Sequence, residues 1–313
     1  MAIRKIRNSQ IKNWRPEYLP DLSDRTFVVT GGNSGIGLEA ARYLMQAGGS
    51  VVLACRSLER AEQAKQSLRA ASDSTIETVE LDLANLASVR SAAKLLRRRH
   101  KKIDGLINNA GIMQTPHRKT DDDFELQMGT NHLGHFLWTA LLLDRVEAAA
   151  GRVVVVSSLV HHVGRLKLRD LMLDRGYTPA RAYAQSKLAN LMFAFELDRR
   201  LQATQSKACA VACHPGYSDT RLQTTGPGAF LGAFYTVGNK VLAQSSAKGA
   251  IPTVLAAAGT EALRGAYYGP TGFGGLRGPV SDAAVGTHAL SEEKAARLWG
   301  LSEEFVNHRW LSD

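Results

Sequence analysis

Short runs rich in β-branched residues alternate with segments of helical hydrophobic spacing over most of this chain. Runs 26–30, 50–55, 75–80, 103–107, 152–157 and 207–213 read as strands, and 35–47, 58–70, 86–99, 124–147 and 180–201 as the helices between them. In the last of these, Leu188, Leu191, Met192 and Phe195 fall at i, i+3, i+4 and i+7, the spacing of a packed helical face. Alternation of this kind predicts a parallel sheet with helices on both faces, an α/β, Rossmann-type doubly wound fold of about seven strands. With no internal repeat and no break in composition, residues 25–313 form one predicted domain, preceded by a basic and polar N-terminal extension, 1–24. Two stretches, 159–179 and 217–245, interrupt the rhythm. Connections of that length in a compact domain tend to serve function, here as substrate loops. The Gly-rich segment 269–279 is expected to be irregular, and Ser291-Glu292-Glu293-Lys294 opens a capped final helix.

Composition is that of an ordinary globular protein, 44% hydrophobic and 22% charged over 313 residues. Cys55, Cys209 and Cys213 have no metal-ligand spacing, so no metal is expected, and four residues of extended strand keep Cys209 and Cys213 too far apart to bridge. A reducing, cytoplasmic setting follows as the expectation. It is reinforced by an N-terminus that has Arg4, Lys5 and Arg7 but no signal-type apolar core, and by the lack of a membrane-length apolar run. The net charge is +10, and Arg97-Arg98-Arg99-His100-Lys101-Lys102 concentrates part of it at a predicted helix C-terminus, where cations complement the dipole. That run reads as a solvated surface. Without interleaved aromatics it does not suggest nucleic acid, and membrane-surface association through it and residues 1–15 is compatible with the chemistry below but not favoured.

The chemistry starts at Thr30-Gly31-Gly32-Asn33-Ser34-Gly35-Ile36-Gly37, which follows the first strand and opens the first helix. Gly31 allows the sharp turn and Gly35 and Gly37 a close approach, so the free amides of the helix end can meet a pyrophosphate. The second strand ends in Leu53-Ala54-Cys55-Arg56. An NAD-preferring protein usually places a carboxylate here for the ribose 2′-hydroxyl, whereas Arg56, with Arg60 one turn on, suits a 2′-phosphate; NADP(H) is the expected cofactor. Further along, Tyr183 and Lys187 stand four residues apart on a helix face. A cation within about 4–6 Å lowers a phenol pKa from ~10 by roughly 1–3 units, which would fit Tyr183 for proton transfer.

These motifs, with Asn108-Asn109-Ala110-Gly111, Ser157-Ser158 and His214-Pro215-Gly216, stand in the order and approximate spacing of the short-chain dehydrogenases/reductases, which the chain resembles from about residue 25 to 219. Ala54-Cys55-Arg56, Asn131-His132-Leu133-Gly134-His135-Phe136, Ser157-Ser158-Leu159-Val160-His161-His162 and Ser186-Lys187-Leu188-Ala189-Asn190 are most similar to the retinol dehydrogenase, protochlorophyllide reductase and WW-domain oxidoreductase branch. The resemblance implies that Tyr183 donates the proton in carbonyl reduction and accepts it in alcohol oxidation. Lys187 would lower its pKa and bind the nicotinamide ribose. Ser158, rather than Ser157, would orient the carbonyl, and Asn131 would hold a water near the lysine. Asp82 and Leu83 match an adenine contact, Asn109, Ala110 and Gly111 the adenosine side, and Pro215, Gly216 and Thr220 the carboxamide; Asp219 departs from the pattern.

The expected activity is therefore hydride transfer between NADP(H) and a carbonyl/alcohol pair. Reduction of a carbon-carbon double bond and a non-catalytic NADP-binding scaffold are the alternatives. Phe230, Leu231, Phe234 and Tyr235 are candidates to line a lipophilic pocket, and the 25 positions from Ser158 to Tyr183 leave a segment long enough to wall it. His161 and His162 read as structural or solvent-facing. Substrate, direction, stereochemistry and homo-oligomerisation stay open at this point.

Overall fold

The computed structural model describes residues 3–69, 74–217 and 244–311. Strands β1 (Thr26–Thr30), β2 (Ser50–Cys55), β3 (Ile76–Glu80), β4 (Gly105–Asn108), β5 (Arg152–Val156), β6 (Cys209–Cys213), β7 (Tyr267–Gly272) and β8 (Arg277–Asp282) form one sheet in the order β3-β2-β1-β4-β5-β6-β7-β8. All neighbours are parallel except β7 and β8, so the doubly wound expectation holds with one antiparallel edge strand added. Sequence order reverses between β1 and β4, which makes the ends of those strands the switch point where ligands settle in such sheets.

Period-2 alternation along each strand divides the core. Val28, Val52, Ala54, Val153, Val155, Ala210 and Ala212 face α3 (Leu86–Arg99), α4 (Gly134–Ala148), α5 (Pro179–Ala203) and the last helix. Phe27, Val29, Val51, Leu53, Val154, Val156, Val211 and Cys213 face α1 (Gly35–Gln46), α2 (Leu58–Arg69) and α6 (Ser246–Ala258). Thr178 caps α5 by accepting from the Arg181 amide, and Pro179 supplies the preset first turn. The last helix, α7 (Glu292–Val306), opens at the expected Ser291 cap and closes over α4 and α5 with an aromatic cluster. In that cluster Phe136 lies 5.0 Å from Trp299 and 5.2 Å from Trp310, centroid to centroid.

Three regions differ from the expectations drawn from the sequence. Residues 124–147 are not one regular helix: Leu126–Met128 passes into a π-turn, Gly129–Leu133, before α4 begins. The Gly-rich stretch 269–279 is not irregular but contributes to the β7–β8 hairpin. Its flanking Tyr267 and Tyr268 are 1% and 0% exposed, and sheet pairing with β6 overrides the low strand propensity of glycine. The N-terminal segment lies along β8. The Trp14 amide donates to Val280 O and the Ser281 hydroxyl to Ile11 O, while Ile3–Arg4 pairs antiparallel with Val285–Gly286. Trp14 is buried there, and Leu22 is buried where its amide donates to Ala47 O at the end of α1.

Among the described residues no helix is long and apolar enough to cross a membrane. The basic run at the end of α3 is part-exposed and partly paired, Arg97 with Asp144 and Arg99 with Glu77.

Candidate active site

At the C-terminal edge of the sheet a cleft of about 450 Å³ gathers nearly every predicted site residue. Its nucleotide end is built from backbone. The Gly31 amide donates to Ala54 O at 2.8 Å, turning the chain off β1 with φ +66°, a conformation that favours glycine. A Cβ on Gly37 would come within 2.6 Å of Gly31 O and 2.5 Å of Asn109 Nδ2, so helix and loop touch without a side chain between them. Ser34 occupies the N-cap of α1 but makes no side-chain cap bond, which leaves its hydroxyl and the first-turn amides directed to the cleft that Asn33, Gly35 and Ile36 also line. The Asn109 side chain donates to Thr30 O at 2.8 Å, and the amides of Asn109 and Ala110 both donate to Thr30 Oγ1 at 3.0 Å, locking β4 to the loop. Arg56 and Arg60 stand exposed at the rim, with Asp82, Leu83 and Gly111 along the same wall.

The end that gathers the expected catalytic residues is built from side chains. The Ser158 hydroxyl, at the start of a short 3-10 turn (Leu159–His162) just past β5, accepts from the Val160 amide at 3.4 Å and lies beside the Tyr183 phenol, on which it acts to lower the pKa. Ser157 turns inward instead and donates to Lys187 O at 2.7 Å, fastening α5 to β5. Lys187, 4% exposed, donates from Nζ to Val156 O at 3.1 Å. The π-turn carries Asn131, whose Oδ1 accepts from the Ile112 amide at 2.8 Å. Its Nδ2 donates to Ile112 O and Ser186 Oγ, both at 2.9 Å. A Cβ on Gly111 would meet Asn131 Oδ1 at 3.2 Å and Lys187 Nζ at 3.4 Å, so that glycine brings the two together.

The electrostatics differ from the expectation of a lowered phenol pKa. Burial pushes Tyr183 up to about 12 against the opposing Ser158 hydrogen bond, and burial pulls Lys187 down to about 8. The Lys187 ammonium lies 5.9 Å from the Tyr183 ring centroid, but its hydrogen bond is to Val156 O. Desolvation therefore dominates both groups: the phenol is held as an acid and the ammonium is held loosely.

Pro215 and Gly216 line the cleft, whereas Thr220 lies outside the described residues, as do Phe230, Leu231, Phe234 and Tyr235. From the segment 159–179 only Val160 reaches the cleft. Part of the remainder packs on α5, where Gln185 accepts from the Lys167 amide and donates to Leu171 O. Sequence reasoning missed Ser57, Met113, Gln114, Thr130 and Tyr217 on the cleft. Met113, Gln114 and Tyr217 sit just beyond the Asn-Asn-Ala-Gly and His-Pro-Gly motifs and could have been found by reading those motifs outward.

The family model described as short chain dehydrogenase matches residues 25–227. This chain is a short-chain dehydrogenase/reductase of the retinol dehydrogenase-like branch. It is 39% identical to human retinol dehydrogenase 13 over 90% of this chain and 84% of that one, and 36% identical to human retinol dehydrogenase 12 over 92% and 88%. The crystal structure of an uncharacterized protein from Mycobacterium paratuberculosis superposes with a TM-score of 0.80 at 40% identity, covering 95% of this chain and 99% of that one. The dehydrogenase is thus an oxidoreductase of a family that binds NAD(P) and acts on small molecules. The Gly37 cradle, the uncapped α1 terminus and the Ser34 hydroxyl fit the pyrophosphate of that cofactor.

Proposed function

We propose that the protein is an NADP(H)-dependent oxidoreductase that interconverts a lipophilic aldehyde or ketone and its alcohol, with Tyr183 as general acid and base. The observation that carries this reading is one cleft with Arg56 at one end and Ser158 beside Tyr183 at the other. The residue directly after β2 is Arg56 and not a carboxylate, and its guanidinium suits a 2′-phosphate. The dihydronicotinamide, when bound, supplies the hydride. Ser158 and Tyr183 hydrogen-bond the carbonyl oxygen, and Tyr183 passes its proton to that oxygen as negative charge develops. A phenol held near 12 by burial is fully protonated at neutral pH, which suits reduction. Lys187, close to its midpoint near 8, can reload the phenol, and Asn131 braces the Ile112 backbone beside it. Met113, Val156 and Val160 bring apolar surface to the cleft, in keeping with relatives named for retinol, a lipophilic alcohol. A reducing compartment such as the cytoplasm is consistent with three free cysteines.

The test is consumption of NADPH and NADH against aliphatic, aromatic, retinoid and steroid carbonyls, with product analysis and Tyr183→Phe as control. The expected result is NADPH-dependent formation of an alcohol, with turnover reduced about 100-fold or more in the variant. An unimpaired Tyr183→Phe protein overturns the mechanism, and a product reduced at a carbon-carbon bond overturns the assigned reaction.

A further inference from the structure

His161 is fully buried three residues beyond Ser158, and two contacts allow it only one protonation state. Its Nδ1 lies 2.7 Å from Ser158 O, an acceptor, so Nδ1 must carry the proton. Its Nε2 receives the Gly286 amide at 3.2 Å, so Nε2 must be bare. A neutral imidazole in this single tautomer satisfies both bonds, and an imidazolium would set one N–H against another. The His161 backbone is engaged as well: its amide donates to Ser158 O at 3.1 Å, and its carbonyl accepts from His288 Nε2 at 2.8 Å. Among the described residues the titratable groups packed around the ring are His162, tilted by 37° at 3.9 Å, Tyr267, edge-on at 5.5 Å with its hydroxyl 3.5 Å from Nδ1, His288 and His214. None of these described groups is a carboxylate, and burial together with the neighbouring imidazoles keeps the ring neutral.

What this bond controls is the direction of Ser158. Ser158 lies just past β5 with an extended backbone, and its hydroxyl caps the 3-10 turn by accepting from the Val160 amide at 3.4 Å, so fixing its carbonyl fixes the backbone from which that hydroxyl projects. Two donors from one residue grip that carbonyl. On the other side of the ring, Gly286 is paired with Ile3 of the N-terminal segment, so a continuous hydrogen-bonded path runs from the arm, through Gly286 and His161, to the serine that faces Tyr183.

We propose that His161 is a positioning residue: its Nδ1–H fixes the Ser158 carbonyl, and with it the hydroxyl directed at Tyr183, while its Nε2 anchors the Gly286 segment. This rests on the catalytic reading of Ser158 and Tyr183 given above. Positioning matters because a misplacement of about 1 Å at a reacting group can cost about 100-fold in rate, and loss of one of two donors permits a fraction of that.

The experiment compares NADPH-dependent carbonyl reduction by the full-length protein with His161→Leu, His161→Asn and His161→Gln. An Asn amide nitrogen can occupy the place of Nδ1, whereas a Gln amide reaches the place of Nε2. His161→Leu is expected to lower kcat about tenfold with KM for NADPH changed less than about twofold, and His161→Asn to recover most of kcat where His161→Gln does not. A kcat for His161→Leu within about twofold of wild type overturns the proposal, as does equal recovery by Asn and Gln. Should His161→Leu fail to fold, the Asn-to-Gln ratio decides alone. Imidazole 15N spectra of the wild type provide a readout without turnover. The Nδ1–H tautomer is expected to persist from about pH 8 to pH 5, and an Nε2–H tautomer or a titration in that range overturns the proposal. A wild type with no NADPH-dependent turnover would instead overturn the reading of Ser158 and Tyr183, an outcome distinct from any difference among the His161 variants.

Discussion

The nucleotide end and the catalytic end of this cleft are built from different materials. Between β1 and α1 the cleft wall is a backbone turn, shaped by Gly31 and Gly37 and fastened by the Gly31 amide to Ala54 O and by Asn109 to Thr30 O. At the other end Asn131, Ser158, Tyr183 and Lys187 come from a π-turn, a strand end and a helix, and buried residues from still farther away hold them. His161 links Ser158 to Gly286, and His135 joins Thr30 Oγ1 at 2.9 Å to Asn131 O at 3.0 Å. The contrast shows that a site made of backbone is specified where it stands, whereas a site made of side chains is specified by its supports. Of the fully buried histidines among the described residues, His132 and His135 flank Asn131, with His135 also reaching Thr30, while His161 follows Ser158 and His214 stands at the end of β6.

Acid should therefore separate the two ends most sharply. Burial holds His132, His161 and His214 at about 3 and His135 at about 4, below the unfolded value of ~6.5. Folded-state pKa values lowered in this way give stability that is present above pH ~6.5 and lost as pH falls toward 4, because the unfolded chain takes up protons that the fold refuses. At about 1.4 kcal/mol per pH unit for each ring, the expected slope is roughly 5 kcal/mol per unit for the set. Urea midpoints at pH 7, 6 and 5, with hydrogen exchange showing the catalytic half opening first, are the check; constant midpoints would erase the contrast.

Trp14→Ala comes next. Trp14 is 2% exposed, with Nε1 donating to Glu261 at 3.1 Å, and its loss should cost about 3–5 kcal/mol by denaturation. Cofactor affinity, read by fluorescence titration, should stay unchanged, since the arm braces the β7–β8 side and not the Gly31–Gly37 loop.

Lys187→Met should give opposite signs for activity and stability. Turnover is expected to fall about 100-fold, as for loss of a proton-transfer partner. The Lys187 pKa, lowered to about 8, marks a buried ammonium whose charge costs stability below pH 8, a cost relieved as pH rises toward its ordinary value of 10.5. Removing the charge should raise the melting temperature at pH 7 by a few degrees, corresponding to about 1–2 kcal/mol after loss of the Val156 bond. A lower melting temperature would show that the hydrogen bond outweighs the desolvation.

The smallest effect is expected at the nucleotide rim. Arg56→Asp should raise KM for NADPH about ten- to a hundredfold and that for NADH far less, as measured by steady-state kinetics. Equal effects on both would remove the 2′-phosphate assignment.

Much of the fold was legible because strand and helix periodicities are local. The runs at 26–30, 50–55 and 86–99 coincide with observed elements, and Ser291 caps the last helix as expected. The β7–β8 hairpin was not legible, since Pro270 and the glycines of 269–278 argue against a strand until β6 offers an edge to pair with. Nor was the π-turn at Asn131, which departs from helical spacing by a single residue inside an otherwise helical pattern. The spacing of Tyr183 and Lys187 was visible, but the pKa consequence was not: four residues set a distance, while the surrounding burial raises the phenol and lowers the amine.

The sequence by itself determined the alternating elements, the glycine turn, the arginine after β2 and the order of the reactive residues, because each depends on neighbours within a few positions of chain. Only the tertiary structure decided how far burial moves the paired pKa values, and that an N-terminal strand and His161 lie behind the site. These are consequences of packing between residues as far apart as Ile3 and Gly286, and no local pattern encodes a contact at that separation.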